Sequence, residues 1–148
     1  MKFASLVVPT VALALSGLSL ADTTVTVSYD KTYDKGSTSL DKVACSNGEN
    51  GLEPKGYTTF DSLPDFPFIG GASVVAGWNS PNCGTCWKLT YKNSKGQKTS
   101  VTVLAIDHAD KGFNIALEAM DDLTNGQSQQ LGRVNATAKE VPASECGL

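Results

Sequence analysis

Asp107 and His108 stand together where an apolar run, Val101-Thr102-Val103-Leu104-Ala105-Ile106, comes to an end, and Asp110 follows three residues after Asp107. A carboxylate beside Ile106 is a credible first member of a glycosidase pair, which needs two carboxyl groups flanking the scissile bond, one with its pKa raised. No second candidate is better than Asp110, because Asp121 and Asp122 lie on a helical pattern whose solvated face explains both charges. One carboxylate supplies neither hydrolytic geometry, so no glycosidase turnover is expected. A serine or cysteine hydrolase would need a histidine base, and His108 is the single histidine, with no spare cysteine to activate. There is no metal-ligand cluster or phosphate loop, so neither a metal nor a cofactor is expected.

The second chemistry-bearing group is sulfur. Cys45, Cys83, Cys86 and Cys146 are an even set, and Cys83-Gly84-Thr85-Cys86 admits three readings. A redox dithiol wants a helix N-terminus after its first cysteine, whereas Trp87, Leu89 and Tyr91 alternate with Lys88, Thr90 and Lys92 as a half-buried strand does. A zinc site wants a second close pair, which Cys45 and Cys146 are not. Two structural disulfides are the better reading, and the residues leave three connectivities open.

That reading presumes an oxidising compartment. Residues 1–21 carry one lysine, an apolar run from Phe3 to Leu20 and small residues at a cleavage position, which predicts a secretory signal peptide followed by a single domain, 22–148. Pro9, Ser16 and Gly17 interrupt the run and argue against a membrane anchor. Without the leader, 11 basic residues face 15 acidic ones, a formal charge of −4. Such a chain has no electrostatic reason to seek nucleic acid or anionic lipid, so a neutral partner is expected.

The elements that must position these groups are mostly short strands. Period-2 alternation predicts strands over 23–29, 87–91, 98–107 and 133–141, with small-residue extended chain over 72–77 and a short segment over 113–117. The 98–107 strand is apolar on both faces toward its end and should be central. Asn93-Ser94-Lys95-Gly96 makes a hairpin turn, and residues 118–123 form the one credible helix, capped by Asn125-Gly126. Residues 57–68, with Pro64, Pro67 and four aromatics, read as an ordered loop packing rings. Short strands and frequent glycine turns favour a small β-barrel.

One stretch joins sulfur, turn and aromatic: residues 76–89 hold Cys83, Cys86, both tryptophans and the turn Asn79-Ser80-Pro81-Asn82. Together with Val27-Ser28-Tyr29-Asp30, Val43-Ala44-Cys45-Ser46, Ile69-Gly70-Gly71-Ala72, Ala105-Ile106-Asp107-His108-Ala109, Leu123-Thr124-Asn125-Gly126 and Cys146-Gly147-Leu148, it resembles the cerato-platanin family of small secreted fungal proteins. The resemblance covers essentially all of 22–148 and implies a mainly β fold, a six-stranded double-psi β-barrel with one or two short helices. It also implies the pairs Cys45–Cys83 and Cys86–Cys146. On function it implies non-catalytic binding of chitin-like N-acetylglucosamine oligomers, recognition by plants as a defence elicitor, and in some members weak expansin-like loosening of polysaccharide. Two features depart from the family's usual pattern: Trp78 stands where tyrosine is expected, and Asn135-Ala136-Thr137 forms a glycosylation sequon.

The residues agree on partner class. A neutral polysaccharide is held by aromatic faces and by hydroxyl and amide hydrogen bonds. The expected carbohydrate site is a shallow groove formed by Ala76, Gly77, Trp78, Asn79, Ser80, Asn82 and Cys83 with Asp107, Asn125 and Gly126. Each of the asparagines also has a plain role in shaping turns. With the resemblance added, the expected protein is a monomer acting outside the cell and at cell walls, and the resemblance implies wall oligosaccharides and a plant receptor as partners. Two other readings stay open. A wall-degrading hydrolase would release reducing ends, and a surface-active coat protein would form films without binding sugar.

Overall fold

The computed structural model describes residues 22–148, so the expected signal peptide, 1–21, lies outside the described residues. Six strands, β1 (Thr23–Tyr29), β2 (Ile69–Ala72), β3 (Cys86–Lys92), β4 (Lys98–His108), β5 (Phe113–Ile115) and β6 (Arg133–Val141), close into a barrel in the order β1-β5-β2-β4-β3-β6. The contacts β1 with β5 and β2 with β4 are parallel and the other four are antiparallel. This is the double-psi barrel that the resemblance implies, and closure leaves no long edge exposed.

The alternating strands put one side chain in two inside. Val27, Leu89, Phe113, Ile115, Val134, Ala136 and Ala138 are buried, while Thr24, Asn135 and Lys88 face out. β4 differs, since Val103, Leu104, Ala105 and Ile106 are all buried. Its outer face is covered by helix α1 (Leu117–Thr124) and by loop backbone, with Cys45 donating its N–H to Ile106 and Gly84 to Ala105. Each large aliphatic side chain so buried stabilises the fold by about 1.5–3 kcal/mol.

Three expectations need correction. The strand expected over 72–77 is Ile69–Ala72, and 73–77 are turns and bends. All four residues of β2 are buried, so no alternation marks it, and its glycines admit other backbone: a Cβ on Gly70 would stand 2.4 Å from the Asn114 carbonyl oxygen, and one on Gly71 2.7 Å from that of His108. A second helix, α2 (Ser128–Leu131), follows α1, where the residues show one helix and the resemblance implies one or two. Short 3-10 turns stand where the sequence shows only loop; the turn Lys31–Asp34 brings the Asp34 carboxylate to the start of α1, accepting from the N–H of Leu117 (2.8 Å) and Glu118 (3.0 Å). A cap supplied from about eighty residues away leaves no local signature.

Candidate functional site

The loops 43–52 and 76–86 lie side by side against the exit of β4. The disulfide Cys45–Cys83 joins them, and Cys86–Cys146 fixes the start of β3 to the chain's last turn. Hydrogen bonds complete the plate. Asn50 donates its N–H to Asn79 Oδ1 (2.9 Å) and its amide to the Asn79 carbonyl (3.0 Å), and Asn82 donates to the Val74 carbonyl (2.9 Å). Asn79 sits in the left-handed region, φ 58°, which Asn tolerates when its side chain is bonded locally. Ser80 is buried and accepts from the N–H of Asn82. These three polar side chains shape the turn.

Trp78 is what the plate presents. The residue is 64% exposed, its indole N–H donates to Asn47 Oδ1 at 2.7 Å, and its ring touches Gly48, where a Cβ would stand 3.1 Å from Cζ2. A large ring tethered by its N–H to a disulfide-bonded loop offers an apolar face at little entropic cost.

Asp107 is half-buried beneath the same loops. Oδ1 accepts from the N–H groups of Ala44 (3.0 Å) and His108 (2.9 Å), and Oδ2 from the Tyr33 hydroxyl (2.9 Å). Burial and the neighbouring carboxylate hold the Tyr33 phenol protonated, its pKa pushed well above the ordinary value. Three donors leave the carboxylate little capacity for a ligand. His108 turns to the other side of the strand, Nδ1 at 2.6 Å from the Val75 carbonyl and Nε2 at 3.3 Å from Asp110. The Val75 carbonyl, Asp110 and Asp107 together favour imidazolium over the opposing desolvation, raising its pKa. Asp110 itself is 98% exposed.

Asn125 and Gly126 do not join this site. They border a depression with Ser100, Val101, Asp121 and Asp122, at the opposite end of β4. At about 3.3 Å per residue Val101 and Ser100 lie about 20–23 Å along the strand from Asp107. Asn125, φ 55°, ends α1 in the left-handed conformation, and Gly126 donates to the Asp121 carbonyl. Their role is the helix cap. The structure thus brings Ala76, Gly77, Trp78, Asn79, Ser80, Asn82 and Cys83 together with loop 43–52, above Asp107. It adds Asn47, Gly48 and Asn50, which in the sequence are only turn signals.

The comparisons with known proteins agree with this architecture. The family model for cerato-platanin matches residues 25–148. A heat-stable 19 kDa antigen of Coccidioides immitis is 50% identical over 133 residues, covering 90% of this chain and 87% of the relative. The crystal structure of cerato-platanin 1 from M. perniciosa superposes with a TM-score of 0.80 at 51% identity, covering 82% of this chain and 98% of that one. The solution structure of the fungal elicitor cerato-platanin gives 0.69 at 38% identity, covering 82% and 96%. By sequence, barrel topology and disulfide pairing, this chain belongs to the cerato-platanin family.

Proposed function

We propose that this is a secreted, non-catalytic carbohydrate-binding protein that engages chitin-like oligosaccharides of cell walls and acts as an elicitor of plant defence. The observation that carries the reading is Trp78, an indole exposed and immobilised on the disulfide-bonded plate. Sugar rings bind such faces through their C–H groups, and an open surface gives weak affinity that rises as more rings of an oligomer are engaged. The elicitor role is supported by kinship with a fungal elicitor of the same fold. Secretion is supported by the two disulfides and by the leader-like N-terminal sequence. Binding without cleavage is supported by Asp107, whose oxygens are already taken by three donors. Weak loosening of polysaccharide, by binding between chains and breaking no bond, belongs to the same reading.

Titration with chitin oligomers, followed by indole fluorescence and amide NMR shifts, tests it. Shifts should centre on 46–50 and 76–80, and Trp78→Ala should weaken binding about tenfold, the worth of one good aromatic contact, with an unchanged melting temperature. Equal affinity in parent and variant would remove the plate as the site. Sugar release abolished by Asp107→Asn would instead make the protein a hydrolase, and film formation without sugar binding would make it a coat protein.

A further inference from the structure

The chain's only arginine and its only histidine line one groove, on a face the plate does not use. Its floor is a polar row across three strands set by register: Arg133 of β6 stands opposite Ser28 of β1, and Ser28 opposite Asn114 of β5. These residues alternate with buried Val27, Phe113, Ile115 and Val134, so all three point outward. The row spans two strand spacings, about 10 Å. One wall is the segment 108–111, which crosses over β2 because Gly71 has no side chain there and meets β1 at Gly112, where a Cβ would stand 2.0 Å from the Thr26 carbonyl oxygen. The wall is therefore fixed.

Its donors are largely unspent. Arg133 Nη1 donates to Thr26 Oγ1 at 2.8 Å, which orients the guanidinium and leaves most of its five N–H groups for a ligand. Among the described residues the single ion pair is His108 with Asp110, so Arg133 has no carboxylate partner. The Ser28 hydroxyl donates to Asn114 Oδ1 at 2.9 Å, turning the Asn114 NH2 to the groove. Lys111 adds a second cation, exposed at the groove wall, and Asp110 is the lone anion of the lining. A net positive groove on a domain, 22–148, of formal charge −4 marks a place for an anion.

We propose that this groove is a second saccharide site, selective for a carboxylate-bearing sugar, a short oligouronide. The planar fork of Arg133 fits a carboxylate with two parallel hydrogen bonds, and Lys111 adds attraction without geometry. Ser28 and Asn114 meet the sugar hydroxyls. A denser polyanion such as nucleic acid is disfavoured, because Asp110 lines the groove and the domain as a whole is acidic.

The test is calorimetric titration of the full secreted domain with trigalacturonate, its fully methyl-esterified form and a chitin trimer, in parent, Arg133→Gln, Lys111→Gln and Trp78→Ala. The acid should bind about tenfold more tightly than the ester, the worth of a charge-assisted hydrogen bond, and Arg133→Gln should erase that preference. Lys111→Gln should lower affinity for the acid and flatten its salt dependence. Trp78→Ala should leave uronide binding intact and Arg133→Gln should leave chitin binding intact, so the two sites succeed or fail separately. Equal binding of acid and ester, no binding of the acid, retention of the preference in Arg133→Gln, or full displacement by equimolar inorganic sulfate would overturn the proposal.

Discussion

The plate around Cys45–Cys83 and the wall made by β1, β5 and β6 are both rigid, but they reach rigidity by different means. In the plate there is no strand ladder; short backbone bonds such as Gly51 N–H to Gly48 and Cys83 N–H to Ser80 close its turns, and side chains tie the turns together: Asn50 and Asn79 bond across the two loops, Asn47 takes the indole N–H, and Asn82 reaches Val74. In the wall the ladder satisfies the backbone, so Asn114 and Arg133 keep donors for a ligand and Ser28 keeps an acceptor. Polar side chains in an irregular loop are thus spent on folding, whereas the same types on an outward strand face remain available. An aromatic platform is what a plate of this kind can offer.

The largest effect that separates the regions comes from the disulfides. Cys45–Cys83 and Cys86–Cys146 close separations of 38 and 60 residues. In the chain-entropy model each is worth about 4 kcal/mol. The Cys45→Ala/Cys83→Ala double variant should therefore lose about 4 kcal/mol in urea unfolding, and its chitin-induced shifts at 46–50 should vanish while the wall's amide protection persists. Removing Cys86–Cys146 should cost as much stability and leave the plate bonded. Loss of wall protection in the first variant would show that the two regions are one cooperative unit.

A smaller pair of effects comes from two glycines, one in each region. A Cβ on Gly51 would lie 2.1 Å from the Ser46 carbonyl oxygen, and one on Gly112, φ 50°, 2.0 Å from that of Thr26. Neither neighbour is a side chain that can swing aside. Gly51→Ala and Gly112→Ala should each cost about 2–3 kcal/mol, as backbone clashes do. The first should weaken chitin binding alone and the second uronide binding alone, with calorimetry reading both.

This contrast also explains what the sequence discloses. Strands β1 and β6 are legible to the residue, because one face of each is buried and their β-branched and small residues alternate. β2 is not, since every one of its residues is buried and the small-residue run continues past its end into turns. The plate's membership in 76–83 is legible from a dense local cluster of Trp, Asn and Cys. Its partner loop is joined to it only through a disulfide and long-range hydrogen bonds, so Asn47 and Asn50 look like turn residues. Asn125 looks like a ligand residue for the opposite reason, a polar side chain whose placement at the far end of β4 no local spacing reveals. The Arg133 groove draws on positions 28, 108, 114 and 133, which only barrel closure brings together.

Loop 57–68 has neither a disulfide nor a ladder, and it holds the one carboxylate oxygen, Asp65 Oδ2, that is sealed from water without a hydrogen-bond partner among the described residues. Burial pushes the Asp65 pKa up to about 7. The folded state therefore keeps a proton that the unfolded chain gives up near pH 4. Stability is greatest below that pH and falls as pH rises through about 7. The carboxyl is only half-buried, so water screens most of the effect and about 1 kcal/mol is expected. Asp65→Asn should match the parent below pH 4, exceed it by about 1 kcal/mol above pH 7 and flatten the profile between, in urea titrations at each pH.

The smallest stability effect is expected at Asn135, and it bears most directly on the independence of the two surfaces. Asn135 is exposed on β6 between buried Val134 and Ala136, and it stands opposite Thr26 of β1. Asn135→Gln should change stability by no more than about 0.5 kcal/mol, as surface substitutions do. A glycan there is another matter. Arg133 and Asn135 are two residues apart on the same outward face, about 7 Å along the strand, so a sugar chain on Asn135 rises beside the groove that Thr26 and Arg133 line. None of the described residues that line that groove belongs to the Trp78 plate, which meets it where His108 reaches the Val75 carbonyl. Protein glycosylated at Asn135 should bind chitin oligomers as tightly as Asn135→Gln protein and bind trigalacturonate several-fold more weakly, chiefly through slower association, because the glycan screens the approach to Arg133 without altering its donors. Stopped-flow measurement on the two preparations separates the cases. Equal slowing for both sugars would mean that they share one approach, and the division between plate and wall would then be structural only.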